Sequence, residues 1–315
     1  RSLSMDAFVP APCAICRTYG DALLRYPARL NEEAIDAAAF SARRFYDRKI
    51  HFRMVRCVRC GLLRSDPVLP PAALATLYRA SHFTYEGELS HLARTYGRYL
   101  ARVQRYHADA ERFLDIGCGN GFMMTEATRQ GYRDVCGVEP SEEAAAQAAP
   151  AHRAKIQVAM FTAQLFPAAS FDVITLFQTL DHLSNPRAVL GDCFSLLKPG
   201  GVLLLLNHNV RAISARLMGE RSPIIDVEHT YLYDTNTIRA VCEAEGFVVR
   251  EAGAAWNTLS LGYLVSLLPI RRVAVKDAII RFLKRMRLEQ VPLRLPLGNL
   301  YCIAQKPTTA QYTAR

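Results

Sequence analysis

Three groups of residues in this chain have types and spacings suited to chemistry. The first is Phe113-Leu114-Asp115-Ile116-Gly117-Cys118-Gly119-Asn120-Gly121, an apolar strand opening into a glycine loop and then a helix. The three glycines, lacking side chains, let the backbone pass close to a ligand at the strand's C-terminal edge. Glu139, followed by Pro140, ends the next strand-like stretch about twenty residues on, where a carboxylate can accept both hydroxyls of a ribose. A dinucleotide fingerprint requires a third glycine where Phe122 stands. Asp115 also suits a ligand bearing an ammonium group better than one bearing a pyrophosphate. The second group is Cys13-Ala-Ile-Cys16 and Cys57-Val-Arg-Cys60. Each CxxC turn brings two sulfurs within reach of one metal, so Cys13, Cys16, Cys57 and Cys60 together make a tetrahedral zinc site. Four thiolates leave no open position, so such a zinc is structural. Four ordinary cysteines, or one redox CxxC, are the plainer alternatives. The third group is polar and titratable: His182, His208, His229, Tyr231 and Tyr233. An unperturbed imidazole titrates near ~6.5, which suits proton transfer.

These residues need elements to position them. From residue 112 onward, strand-like and helix-like stretches alternate, the pattern of a mostly parallel sheet wrapped by helices on both faces. Strands are expected over 113–116, 135–138, 156–159, 171–177, 202–207, 247–251 and 299–305. Helices are expected over 122–130, 142–149, 187–197 and 235–245. Gly131 and Gly246 stand where helix C-caps belong, and Pro199-Gly200-Gly201 makes a turn. Upstream, a helix over 31–42 would fill the excursion between the two CxxC turns, and two helical stretches over 71–78 and 89–107 lead into the first strand. The organisation expected is a zinc module over 1–70, a helical linker over 71–110, and an α/β domain over 111–315 with a helical insertion over 256–297.

Composition narrows the classes. The chain has 315 residues, half of them apolar, enough for one large domain and a small module. Its nine cysteines are an odd number, and no charged-then-apolar leader opens the sequence, so a reducing, cytoplasmic setting is expected rather than a disulfide framework. The longest apolar stretch near the C-terminus, over 259–270, is too short to span a bilayer. The net charge of +10 is compatible with nucleic acid, an anionic membrane surface or a phosphorylated small molecule.

The motifs Asp115-Ile-Gly-Cys-Gly-Asn-Gly121, Gly137-Val-Glu-Pro-Ser141, Ser170-Phe-Asp-Val-Ile174, Asp181-His-Leu183 and Leu197-Lys-Pro-Gly-Gly201 resemble, in order and spacing, those of class I S-adenosylmethionine-dependent methyltransferases, with a Rossmann-like sheet whose last strand is antiparallel. The preceding CxxC pairs and Cys-Gly-Leu-x-Arg-x-Asp-Pro more loosely resemble the zinc leader of bacterial methyltransferases acting on sugars and secondary metabolites. The resemblance implies S-adenosylmethionine as cofactor and S-adenosylhomocysteine as product. Gly117, Gly119 and Gly121 would then form the floor under the methionine, with Cys118 a small space-filler among them and Asp115 near the amino group. Glu139, with Pro140, would hold the ribose. Phe161 and Thr162 would border the adenine, and Phe177 and Gln178 would face the methionine or acceptor.

Methyl transfer from a sulfonium is an in-line displacement, so a base is needed only if the acceptor must lose a proton. His182 and His229 are the candidate bases, Tyr231 and Tyr233 candidate hydrogen-bond donors that lid packing would explain almost as well, and His208 a polar lining residue. A structural histidine bonding a loop carbonyl is the plainer reading of His182. The acceptor expected is a small molecule, such as a nucleotide-linked sugar or natural-product intermediate. Two alternatives stand beside it: an RNA or protein methyltransferase that grips its polymer with the zinc module, and a non-catalytic protein that keeps the fold for binding. Nucleic acid is the less expected partner, because aromatic residues do not interleave with the basic clusters. The basic amphipathic stretch 275–287 could lie on an anionic membrane, or pack on its own domain or a second subunit, the chain being a monomer or homodimer.

Overall fold

Residues 8–30, 35, 50–80, 89–267 and 273–308 are described by a computed structural model. The helix expected over 31–42 lies, apart from Ile35, outside the described residues. Near the N-terminus three short strands, β1 (Ala22–Tyr26), β2 (Met54–Cys57) and β3 (Leu63–Ser65), pair antiparallel. Two helices follow, α1 (Pro71–Arg79) and α2 (Leu89–Val103). Pro71 opens α1, where its missing N–H costs nothing. The alternating region then runs β4 (Arg112–Ile116), α3 (Phe122–Arg129), β5 (Asp134–Glu139), α4 (Glu142–Ala146), α5 (Pro150–Arg153), β6 (Ile156–Val158), β7 (Phe171–Phe177), α6 (Pro186–Leu196) and β8 (Leu197–His208). After it come α7 (Ile213–Met218), β9 (Tyr231–Leu232), α8 (Thr235–Glu243), β10 (Val248–Ala254), β11 (Asn257–Ser260), α9 (Leu261–Leu267), α10 (Val273–Arg285), β12 (Pro292–Leu295) and β13 (Asn299–Gln305).

Among the described residues seven strands form the main sheet, ordered β10-β13-β8-β7-β4-β5-β6. β4 to β8 run parallel, and β13 lies antiparallel between β8 and β10, as a Rossmann-like methyltransferase sheet requires. Strand order reverses at β4, whose neighbours β5 and β7 are reached by crossovers in opposite directions. The crevice this opens at the C-terminal strand ends is where open α/β sheets bind ligands. The sheet is buried on both faces, so its central strands read as apolar runs, and all seven residues of β7 are buried. Successive residues of β8 supply the two halves of the core. Leu203 and Leu205 lie in one cluster with Leu190 and Val241, while Val202, Leu204 and Leu206 lie in another with Leu100 and Met123.

The cysteine-bearing sheet is joined to the main domain through β9. That two-residue strand pairs with β3, Leu63 opposite Leu232 and Arg64 opposite Tyr231. Cys13, Cys57 and Leu62 also share a buried cluster with Tyr231 and Leu205, so the two sheets have a common core. The segment 256–297 differs from a purely helical insertion. Its base is the β11–β12 hairpin, docked on α2 by Thr258 N–H donating to Thr95 Oγ1 at 2.7 Å and Trp256 N–H donating to the Tyr99 hydroxyl at 2.8 Å. α10 buries Leu283 but leaves Val275 and Phe282 exposed, as is Met286 directly after it. Among the described residues no helix is long and apolar enough to cross a membrane.

Candidate active site

The glycine loop leaves β4 with three residues in the left-handed region: Gly117 at φ 73°, Gly119 at 54° and Gly121 at 70°. A side chain would be strained at each. At Gly117 it would also collide, because a Cβ there lies 2.6 Å from Thr179 Oγ1. The same crowding explains Cys118. Its buried sulfur lies 2.6 Å from where a Cβ on Gly137 would stand, so the two residues divide one small space. Burial, with Asp115 and Glu139 nearby, holds that thiol well above its ordinary range, which makes it a poor nucleophile.

Two buried carboxyl groups flank the loop. Glu139, at the end of β5, accepts from Gly119 N–H at 2.8 Å and from Ser141 N–H at 2.9 Å, which fixes the loop against the strand end. Burial raises its pKa, and those two amides pull it back. Asp115 accepts from Thr175 Oγ1 at 2.7 Å. Burial pushes it up to about 7, against that hydrogen bond and with help from Glu139. Among the described residues neither carboxylate is ion-paired with a side chain.

Phe177 and Gln178 end β7 at the same edge. The Phe177 ring stacks on Tyr96 of α2, centroids 4.6 Å apart. Gln178 is a non-glycine residue at φ 53°, and its buried Oε1 has no partner among the described residues. A strained backbone carrying an orphaned acceptor at a sheet edge marks a position shaped for a ligand. Pro140 and the pair Phe161 and Thr162 follow β5 and β6 at that edge, Phe161 half-buried and Thr162 exposed. The loop after them is tied down by Ala163 N–H donating to Asp192 Oδ2 at 3.1 Å.

The histidines converge on Asp181, which the sequence presents only as part of the Asp181-His-Leu183 motif. Asp181 Oδ1 accepts from Asn207 Nδ2 at 2.9 Å, and Oδ2 lies 2.7 Å from His208 Nδ1. His182 Nε2 and His229 Nε2 stand 3.8 and 3.9 Å from the same carboxylate. Burial alone would raise Asp181, but the His208 hydrogen bond and the three imidazoles hold it well below the usual carboxylate range. The roles differ by position. His229 is 1 % exposed, and its Nδ1 lies 3.0 Å from Asp226 Oδ2. Its ring is enclosed by those of His182 and His208, at 4.6 and 4.5 Å. His182 meets the Tyr78 hydroxyl through Nδ1 at 3.3 Å. His208, at the end of β8, is part-exposed with Nδ1 engaged, which leaves Nε2 as its proton-accepting atom.

Tyr231 requires a correction. It was expected as a substrate donor, but its side chain is buried in β9 and its hydroxyl donates to the Pro12 carbonyl at 2.9 Å. It ties the N-terminal segment to the main domain and is not gathered with the histidines.

Among the described residues two groups have metal-ligand spacing. The sulfurs of Cys13, Cys16, Cys57 and Cys60 all lie within 4.8 Å of one another. Their turns close through Arg17 N–H donating to Cys13 O and Gly61 N–H donating to Cys57 O, with Arg17 and Gly61 both at positive φ. Despite burial, hydrogen bonds from the Cys60 and Arg59 amides bring Cys57 down to about 7. Asp181, His182 and His229 also offer atoms within 4.8 Å. That carboxylate is already the acceptor for Asn207 and His208, which favours a proton-handling cluster over a cation site.

Residues 89–252, just over half of the chain, match a family described as a methyltransferase domain. Among curated proteins, a ubiquinone biosynthesis O-methyltransferase of Parvibaculum lavamentivorans is 35% identical over 127 residues, covering 38% of this chain and 49% of that protein. The protein of the same name from Rhodopseudomonas palustris is 33% identical over 115 residues, 34% of this chain and 45% of its own length. The chain thus spans about half the length of these relatives. Among solved structures, a SAM-dependent methyltransferase of Archaeoglobus fulgidus aligns over 70% of this chain and 99% of its own, at 19% identity and a TM-score of 0.47.

Proposed function

The chain belongs to the methyltransferase-domain family, and from that premise we propose that it transfers the methyl group of S-adenosylmethionine to a hydroxyl of a small-molecule acceptor. The observation that carries this reading is the pair of buried carboxyls, Asp115 and Glu139, neither ion-paired among the described residues, on either side of a loop whose three glycines hold left-handed backbone. Asp115 answers the cofactor's ammonium group and Glu139 its ribose hydroxyls. Gly117, Gly119 and Gly121 let the backbone approach the methionine, and Cys118 packs behind them. Pro140, Phe161 and Thr162 border the adenine, while Phe177 and Gln178 face the methionine. When bound, the cofactor supplies an electrophilic methyl on a sulfonium. His208 Nε2 takes the acceptor's proton, and Asp181 orients the ring through Nδ1 and stabilises the imidazolium that forms. His182 and His229 complete the cluster. We assign one structural zinc to Cys13, Cys16, Cys57 and Cys60, whose four sulfurs have the donor set and proximity of a closed site. Nucleotide-linked sugars and natural-product intermediates are the finer acceptor class suggested by the leader's residue pattern.

The test is calorimetric titration of the zinc-loaded protein with S-adenosylmethionine and S-adenosylhomocysteine, beside Glu139→Ala. Binding with Kd in the micromolar range is expected, and losing both ribose hydrogen bonds to a charged acceptor weakens it roughly 100-fold or more. A folded wild type that binds neither ligand would remove the proposal.

Asp115 adds a pH dependence whose sign follows from its raised pKa. Below about 7 the ligand-free carboxyl keeps its proton, whereas the ammonium-bearing ligand prefers the ionised form. Ligand binding at pH 6 therefore releases a proton. S-adenosylhomocysteine affinity should rise with pH, by up to roughly tenfold per unit, and level off above neutrality. Titrations in buffers of different ionisation enthalpy count the released proton. An affinity that is flat from pH 5 to 8 contradicts the assignment of Asp115.

A further inference from the structure

The excess positive charge has one structured use that the proposed reaction does not absorb. A cavity of about 370 Å³ lies between the cysteine-bearing sheet and the segment that follows β8, and four arginines line it: Arg25, Arg56, Arg211 and Arg216. No Asp or Glu stands in its wall. The remaining wall is mainly small or apolar, with Leu63 and Ile225 among its residues.

The charges are only partly answered. Arg211 Nε pairs with Asp234 Oδ2 at 2.8 Å, and Arg56 donates through Nη1 to the Gly61 carbonyl at 2.8 Å. Arg25 stacks over the Tyr26 ring at 5.0 Å, and among the described residues neither Arg25 nor Arg216 has a carboxylate partner. Four guanidinium groups around one concave wall, with Asp234 behind Arg211 as the one carboxylate partner found among the described residues, leave an excess of positive charge that is complementary to an oxyanion. Guanidinium forks match phosphate oxygens in pairs.

The cavity's position links it to the histidine cluster. Its wall includes Val210 and Arg211, directly after His208 and Asn209, and Ile224 and Ile225, directly before the Asp226 that supports His229. The segment lining it therefore leaves the cluster and returns to it.

We propose that this cavity binds the phosphate or diphosphate group of the methyl acceptor, so that the substrate class is a soluble phosphate ester. The inference rests on the small-molecule acceptor read above. The size of the cavity suits a phosphorylated small molecule. It also gives the N-terminal sheet a role in recognition, since Arg25 and Arg56 belong to β1 and β2.

The experiment uses the whole 315-residue chain, zinc-loaded, at fixed ionic strength in chloride. Inorganic pyrophosphate is titrated calorimetrically into wild type, Arg211→Gln, and the double variant Arg25→Gln/Arg216→Gln, whose two side chains are exposed and so dispensable for folding. Wild type should bind pyrophosphate saturably, with or without S-adenosylhomocysteine present. Each lost guanidinium should weaken binding roughly tenfold, while S-adenosylhomocysteine affinity stays unchanged. Glucose 1-phosphate should displace pyrophosphate. Pyrophosphate binding no tighter than that of chloride, or equal in the variants, overturns the proposal. So does arginine-dependent capture of phosphatidic acid vesicles or single-stranded RNA together with failure of glucose 1-phosphate to compete. Loss of S-adenosylhomocysteine binding in wild type is the separate signature of failure of the methyl-transfer reading.

Discussion

Replacing His208 by alanine is expected to lower kcat for methyl transfer by roughly 10²–10⁴-fold, the usual contribution of a positioned general base. Binding of S-adenosylhomocysteine should stay at the wild-type value, because His208 lies at the end of β8 while the cofactor's candidate partners end β4, β5 and β7. The choice among three histidines follows from their surroundings. His229 is enclosed and tied to Asp226, so a proton taken there has no direct route to an acceptor. His208 presents a part-exposed ring whose Nδ1 is held at 2.7 Å by a buried carboxylate. Asp181→Asn removes that support and should also depress kcat, and it adds a diagnostic. If Asp181 acts through His208, the acidic limb of the kcat–pH profile moves to lower pH when the anion is lost. A merely structural aspartate would lower the amount of folded enzyme and leave the limb in place. A His208→Ala variant with undiminished kcat would remove the general-base assignment.

Cys57→Ser should have the largest effect on stability. Structural zinc contributes about 10–16 kcal/mol of apparent binding free energy in small zinc-finger peptides, comparable with the whole folding stability of an ordinary domain. Cys57 ends β2, and β2 pairs with β3, which pairs with β9. From β3, Ser65 N–H donates to Thr230 O at 2.8 Å and Ser65 Oγ to His229 O at 3.0 Å. The thiol cluster is thus two strands away from the backbone that carries the histidine cluster. The expected result is loss of the one bound zinc, an early unfolding transition, and activity that falls with the zinc content. Chelator treatment of wild type should reproduce it. Cys136→Ser serves as the control, since Cys136 lies in β5 outside the thiol cluster and should leave metal content and melting unchanged. Retention of one zinc per chain and a wild-type Tm in Cys57→Ser would contradict the structural role.

Much of the main sheet was legible because its signals are local. The strands expected over 171–177 and 299–305 coincide with β7 and β13, and the rest differ mainly at their ends, since apolar runs, turn glycines and caps act within a few residues of one another. The glycine loop was legible for the same reason. Left-handed backbone at Gly117, Gly119 and Gly121 is a property of single residues in sequence. The carboxyls Asp115 and Glu139 were legible from their strand-end positions.

Only the tertiary structure decided what depends on distant segments meeting. A two-residue strand such as β9 has no periodicity to read, so neither its pairing with β3 nor the removal of Tyr231 to the Pro12 carbonyl could be foreseen. Asp181 lies 27 residues from His208 and 45 from Asp226, and the cluster they build with His229 exists only where β7, β8 and the return to β9 end at one edge. The arginine cavity draws its walls from β1, β2 and the chain after β8. Through-space electrostatics and burial act over a few ångströms whatever the separation along the chain. By itself, the sequence determined the frame and the glycine loop; the folded chain determined which histidines meet at Asp181 and which arginines meet at one cavity.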